Sequence, residues 1–346
     1  MFKQDIQRVG FACKYVHPDQ SLPAKKLKSI QQRLTERTTT NAWLQHQSLD
    51  QAYERLWDIV RHNAQAAYNL VQYVGGLPHG QRMVRLGSDQ LPFFTHDNWR
   101  DFYRRRDVQE YATRAYADVG ALARELDVRM SMHPGQFTVL ASDRRDVADR
   151  SLEELEYHAL IAKWMGFGSV FQDFKINVHL SGRRGADGFL EYKRVMSPEL
   201  RNMLTIENDE YASGVDDILA LEHDFALVFD THHHMIHSEE FITPNDDRFK
   251  RVIDSWRGVR PVIHYSVSRD EYMSDIPQDE LPDMNVLLQK AKKNKLRAHS
   301  DFYNHRASNL MVLELGEIAD IMCEAKMKNL ASAQLFEFRK SLKNTV

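Results

Sequence analysis

Residues 175–182 read KINVHLSG, a short β-rich run that closes on His179 before a Ser-Gly turn. The pattern repeats along the chain. Runs of this kind are predicted at about Arg8–Lys14, Arg82–Leu86, Val128–Met132, Lys175–Leu180, Leu204–Glu207, Ala226–Asp230, Pro261–Tyr265 and Ile318–Cys323. Between them lie amphipathic stretches of helical period. The clearest is Leu49–Val74, where Tyr53, Leu56, Ile59, Val60, Ala64, Ala67, Leu70 and Val71 recur at helical spacing. Further helices are expected over Asp107–Leu126, Asp146–Met165, Ser213–His223, Arg248–Trp256 and Ala325–Leu342. Short strands followed by helices eight times over predict an α/β fold, a single (β/α)8 TIM barrel across residues 1–346. The segment at about 16–80 is too long for one crossover helix, so an extra helix is expected over Leu22–Leu34.

Composition excludes several other classes. At 42% hydrophobic and 27% charged residues, the chain can bury a large core, which argues against disorder or a fibre. No apolar run reaches the roughly 18 residues of a membrane span. The opening MFKQDIQRVG lacks the apolar stretch of a secretory leader, so a soluble, cytoplasmic protein is expected. Two cysteines, Cys13 and Cys323, cannot staple a fold of this size. No GxGxxG or GxxxxGK[ST] follows the first strand, which removes the main reason to expect a nucleotide site. A net charge of −3 gives no global attraction to nucleic acid, so affinity for DNA has to come from local basic patches or bound metal.

In a barrel, side chains at the carboxyl ends of the strands converge on one face. Metal-ligand residue types crowd those ends here. His96 follows the second strand in LGSDQLPFFTH, His133 ends the third in SMHPGQF, and His179 ends the fourth. Glu207 ends the fifth in LTIEND, Asp230 and His233 close the sixth in VFDTHHH, and His264 closes the seventh in VIHYS. His299 lies in the loop HSD, and Glu324 ends the eighth in MCEAK. Strand alternation allows one side of the triple His232–His234 to face the mouth; His233 is taken as the ligand and His232 as its supporting neighbour. A lone histidine at a strand end is more often a hydrogen-bonded core residue, but recurrence at strand after strand shifts that balance. Six imidazoles and three carboxylates without thiolates suit two or three ions of Mn²⁺, Zn²⁺ or Fe²⁺. Closely spaced ions favour hydrolysis of a phosphate ester, with water activated by metal as nucleophile and no dedicated side-chain base.

The ordered set SMHPGQFTVL, INVHLSG, LTIEND, VFDTHHH, VIHYS, HSD and MCEAK resembles the ultraviolet-damage endonuclease family, from about Val9 to Lys328. The resemblance implies a TIM barrel related to the endonuclease IV group. It also implies incision 5′ of cyclobutane pyrimidine dimers, 6-4 photoproducts and some abasic sites, with a cluster of divalent metals, commonly Mn²⁺. Its ligands fall on the nine residues already named. It further implies that Gln136 and Phe137 probe the duplex at the lesion; on the residues alone, Phe137 reads equally well as packing its loop with Val139 and Leu140. Two departures stand out. Family members usually carry a carboxylated Lys, bridging metals, two residues before the seventh-strand His, where this chain has Val262. Phe11 also stands where the family often has a Tyr hydroxyl.

A duplex-binding enzyme of negative net charge needs cationic groups beside its metal face. Candidates are Arg104, Arg105 and Arg106, then Arg144 and Arg145, then Arg183 and Arg184, all expected in rim loops; KAKKNKLR at 290–297 is a further candidate. Such runs are also ordinary solvated faces. The expected partner is damaged double-stranded DNA, with no obligate protein partner. Three rival readings stay open: an endonuclease IV-like abasic-site enzyme, a sugar isomerase on the same barrel, and a damage-binding protein with catalysis impaired by Val262.

Overall fold

The computed structural model describes residues 3–343. Eight strands carry the fold: β1 Val9–Ala12, β2 Met83–Leu86, β3 Arg129–Met132, β4 Lys175–His179, β5 Leu204–Glu207, β6 Ala226–Val228, β7 Val262–Tyr265 and β8 Asp320–Cys323. Adjacent strands run parallel in the order β6-β5-β4-β3-β2-β1-β8-β7. The seam between β6 and β7 is closed at the rim, where Asp230 bridges to His264 and the His264 N–H donates to the Phe229 carbonyl at 2.9 Å. The architecture is the (β/α)8 barrel expected from the alternating runs. The eighth strand starts at Asp320 rather than Ile318, because Glu317 and Ile318 still turn off the preceding helix.

Alternation along each strand sorts the side chains. Val9, Phe11, Val84, Leu86, Ile176, Ile206, Ile263 and Ile321 join the large core between sheet and helices. Ala12, Met83, Ala226, Val228, Val262 and Met322 form a smaller apolar layer of the opposite parity, inside the barrel. Phe11 therefore packs in the outer core, where a hydroxyl would serve no site. Gly10 lies on the inner side, and a Cβ there would come within 2.5 Å of the Met83 carbonyl oxygen.

The segment between β1 and β2 holds helices at Ala24–Gln32, Asn41–Gln45 and Leu49–Gly75. The long one starts at a capping box in which Ser48 and Gln51 satisfy each other's backbone N–H groups. Its buried Asn63 accepts from the Arg37 N–H at 2.7 Å and donates to the Asp89 carbonyl at 2.8 Å, tying the inserted segment to the loop after β2. Among the described residues, no helix is long and apolar enough to cross a membrane.

The amino ends of the strands are closed by buried charge. Asp320 accepts from Arg129 at 2.8 Å, from Arg260 at 2.9 Å and from the Arg8 backbone N–H at 2.8 Å. Burial lowers the Arg129 guanidinium to about 10, so it remains charged at neutral pH. Removing the shared carboxylate strands that charge in the barrel, and Asp320→Ala is expected to cost about 3–5 kcal/mol in urea unfolding. A loss below about 1 kcal/mol would show that the plug contributes nothing to stability.

Candidate metal centre

The carboxyl ends of the strands deliver the predicted residues to one cavity. Glu207, at the end of β5, is 1% exposed. Four imidazoles surround it: His264 Nδ1 at 3.0 Å and His233 Nδ1 at 3.4 Å from Oε1, His133 Nε2 at 3.5 Å and His179 Nε2 at 3.6 Å from Oε2. Asn177 donates to Oε2 from below, two residues before His179 on the same face of β4. Burial alone would raise the Glu207 carboxyl, but His264 and His179 outweigh it and hold the group well below the usual carboxylate range.

Asp230 caps the helix Thr231–Ser238, and its Oδ1 accepts from the His232 and His233 N–H groups at 2.8 and 2.7 Å. Its Oδ2 is buried and has no hydrogen-bond partner. Burial pushes the Asp230 carboxyl up to about 7 against the opposing pull of His233. Burial also opposes charge on His233, yet Asp230 and Glu207 outweigh it and push that ring up to about 10. The HHH triplet is thus helical rather than extended. His233 reaches the cavity because it lies three residues after the cap. His232 stays behind it, between the hydroxyls of Ser266 at 3.0 Å and Ser268 at 3.2 Å.

Among the described residues, donor atoms come within 4.8 Å of one another in four triads: His133–His179–Glu207, Glu207–Asp230–His233, Asp230–His264–Glu324 and His179–Asp209–Glu210. Seven of the nine expected ligands therefore share the centre. His299 lies beside it, its Nδ1 against the Glu324 carbonyl at 2.9 Å, and joins no triad. His96 also joins none; its Nδ1 accepts from the Asn98 N–H at 3.2 Å and its ring meets Phe93 edge-on. An orphaned carboxylate oxygen in a nitrogen and oxygen donor set without thiolates fits a hard or borderline divalent ion.

Four groups escaped the sequence reading. Asp209 takes the His179 Nδ1–H at 3.1 Å, and Glu210 lies 3.6 Å from His233 Nε2. Burial would raise Asp209, but the His179 contact and the Ala212 and Tyr211 N–H groups outweigh it and bring the carboxyl down to about 2. Arg85 on β2 reaches Glu324 Oε1 at 2.5 Å, and Lys175 on β4 reaches His264 Nε2 at 2.9 Å. Both basic residues were legible through period-two alternation, two residues or more upstream of a rim position on the inner face. Val262 lies within the apolar layer below His264, and the lysine beside that histidine comes instead from across the barrel.

On the rim, Phe137 is 85% exposed, so it does not pack its loop; Leu140 does, at 1%. A cleft of about 790 Å³ opens beside Phe137, lined by Thr95, Thr138, Arg144, Arg150 and Glu154 among others. The arginine clusters lie at helix ends rather than in free loops: Arg104 closes Arg100–Arg104, Arg106 opens Arg106–Glu125, and Arg145 opens Arg145–Trp164. Each arginine is paired. Arg104 meets Asp101, Arg105 meets Asp107 and Arg106 meets Glu110, while Arg144 meets Asp146, Arg145 meets Asp149, Arg183 meets Asp143 and Arg184 meets Glu191. Such exposed pairs contribute little to stability and exchange readily with phosphate.

A family model described as UV-endonuclease UvdE matches residues 8–345. The chain belongs to this family. It is 25% identical over 295 residues to a UV DNA damage endonuclease of Bacillus cereus (strain G9842), covering 82% of this chain and 83% of that protein. It is 24% identical over 318 residues to one from Bacillus anthracis (strain A0248), covering 89% and 90%. The crystal structure of SacUVDE superposes with a TM-score of 0.70 at 24% identity, over 97% of this chain and 99% of that one, and shares the fold. The family reading places the chain among DNA repair endonucleases and leaves the sugar isomerase without support.

A metal entering this centre has to displace protons from His233, held up to about 10, and from Asp230, raised to about 7. Mn²⁺ affinity is therefore expected to rise from pH 6 to pH 8, with at least one proton released per chain at pH 7. Calorimetry in buffers of different ionisation enthalpy measures the release, and binding without it would remove His233 and Asp230 from the ligand set.

Proposed function

We propose that this chain is a metal-dependent, single-domain endonuclease that hydrolyses the phosphodiester on the 5′ side of ultraviolet photolesions in double-stranded DNA, leaving a 3′-hydroxyl and a 5′-phosphate. The observation that carries the reading is the buried Glu207 carboxylate among four imidazoles, beside an Asp230 oxygen with no partner. The nine residues named from the sequence are the proposed ligand set for two or three divalent ions, with Mn²⁺ the first choice. When bound, the ions supply Lewis-acid charge at the scissile phosphate and bring a water within its range of ionisation.

The chain's own residues prepare that centre. His133 and His179 hold Nδ1 against the Pro134 carbonyl at 2.9 Å and the Asp209 carboxylate at 3.1 Å, which presents Nε2 towards Glu207. With these groups preset, no side-chain base is required at the reacting water. Phe137, standing out from the rim with Gln136, has the exposure and flatness to enter a duplex whose stacking a lesion has weakened. Arg144 and Arg145 beside that loop, with Arg183, Arg184 and Arg104–Arg106 farther round, would exchange carboxylates for backbone phosphates.

The test is incision of a labelled duplex carrying one cyclobutane pyrimidine dimer, with Mn²⁺ or with EDTA, beside undamaged and abasic duplexes. A Mn²⁺-dependent nick immediately 5′ of the dimer is expected. Cutting of the abasic duplex alone would move the assignment to an abasic-site enzyme, and damage-selective binding without a nick to a recognition protein. His133→Ala and Glu207→Ala are expected to lower incision by at least about a hundredfold, with circular dichroism unchanged; normal turnover in either would remove the site assignment. Gln136→Ala with Phe137→Ala is expected to reduce discrimination of damaged from intact duplex while Mn²⁺ affinity stays within about twofold. Unchanged discrimination would deny the loop its probing role.

A further inference from the structure

The imidazoles of the rim are not all tied in the same way. His133, His179, His233 and His299 each hold Nδ1 against an oxygen: the Pro134 carbonyl at 2.9 Å, Asp209 at 3.1 Å, the Asn208 carbonyl at 3.0 Å and the Glu324 carbonyl at 2.9 Å. In each, Nε2 is the nitrogen left for a metal. His264 is reversed. Its Nε2 meets Lys175 Nζ at 2.9 Å, and its Nδ1 meets Glu207 Oε1 at 3.0 Å. A lysine nitrogen donates N–H to a ring nitrogen whether or not it carries the extra proton. The ring proton of His264 then sits on Nδ1 and is donated to Glu207, so neither nitrogen keeps a lone pair for an ion.

The neighbouring donor is committed as well. Glu324 Oε1 is held by Arg85 Nη1 at 2.5 Å, and burial of that guanidinium is outweighed by the attraction of Glu324. The Asp230–His264–Glu324 triad thus has two of its three donors engaged by basic side chains. In the His179–Asp209–Glu210 triad, Glu210 is held by Arg297 at 2.8 Å. The other two triads differ: none of the contacts within hydrogen-bond or ion-pair distance of His133, His179, Glu207, Asp230 or His233 comes from a lysine or arginine among the described residues. The two oxygens of Glu207 divide between these open triads, Oε2 towards His133 and His179 and Oε1 towards His233.

We propose that Lys175 and Arg85 close the Asp230–His264–Glu324 triad to metal, so that this chain holds two divalent ions rather than three. They sit at His133–His179–Glu207 and at Glu207–Asp230–His233, with Glu207 shared. His264 is then a positioning residue that orients Glu207. The proposal rests on the metal-centre reading above and assigns the ion count and the two residues that set it.

The experiment loads the full chain with Mn²⁺, removes excess ion, and counts manganese per chain by elemental analysis, with anomalous diffraction locating each ion. The wild type is expected to hold two, with no anomalous peak against His264 or Glu324. Lys175→Met combined with Arg85→Gln is expected to hold three, the new one beside His264, while Lys175→Arg keeps two. A third ion in the wild type, or a peak at His264, overturns this proposal and leaves the metal-centre reading standing. Two ions in both the wild type and the double variant overturn the role of Lys175 and Arg85. No bound manganese in the wild type sinks the metal-centre reading itself. Should the double variant fail to fold, the wild-type count and Lys175→Met alone, read by the anomalous peak at His264, decide the matter.

Discussion

A carboxylate buried to 1% exposure has to be neutralised, and Glu207 is neutralised by imidazoles from four different parts of the chain. Taking such a group out of water costs several kcal/mol unless partners replace its hydration. That requirement ties the ends of β3, β4, β5 and β7 and the start of the helix after β6 to one another. The same requirement accounts for Asn177, which donates to Glu207 from the next inward position of its strand. The cavity is therefore both the place where the barrel is least comfortable without a cation and the place where its strand ends agree in position.

The barrel itself separates stability from chemistry along its axis. At the amino ends, Asp320 with Arg129, Arg260 and Arg8 forms a closed, satisfied plug. In the middle, Met83, Val228, Val262 and Met322 make an apolar floor. At the carboxyl ends the inward positions carry His, Asp and Glu, and the Asp230 oxygen without a partner marks the one polar demand the protein leaves unmet. The seam between β6 and β7 closes at Asp230 and His264, so the last link in the ring of strands is made by two residues of the site.

Much of this was legible from residue order. Recurrence of short β runs ending in His, Glu or Asp determined the barrel and named seven residues that the fold brings into the metal triads, because a strand end in a parallel barrel has only one place to go. The inserted helix after β1 and the long helix from Leu49 followed from period and capping. Local conformation near the site was less accessible. The HHH triplet reads as the end of a strand, yet Asp230 caps a helix there, and the cap decides that His233 and not His232 meets Glu207. The arginine runs read as a free cationic strip, whereas acidic residues two to four positions away, or across on a neighbouring loop, hold each one.

The sequence by itself determined the fold, the family and the chemical character of the rim, since those rest on periodicity and on residue types at strand ends. Tertiary structure alone decided which groups meet. Lys175 and His264 are 89 positions apart and Arg85 and Glu324 are 239 apart, and no local spacing announces either contact. They form because a long basic side chain on the inner face of one strand can span the barrel to a rim residue on another. The physical reason is that closure of the sheet converts sequence separation into cross-barrel proximity, and burial then forces each charge to find whichever partner lies within reach.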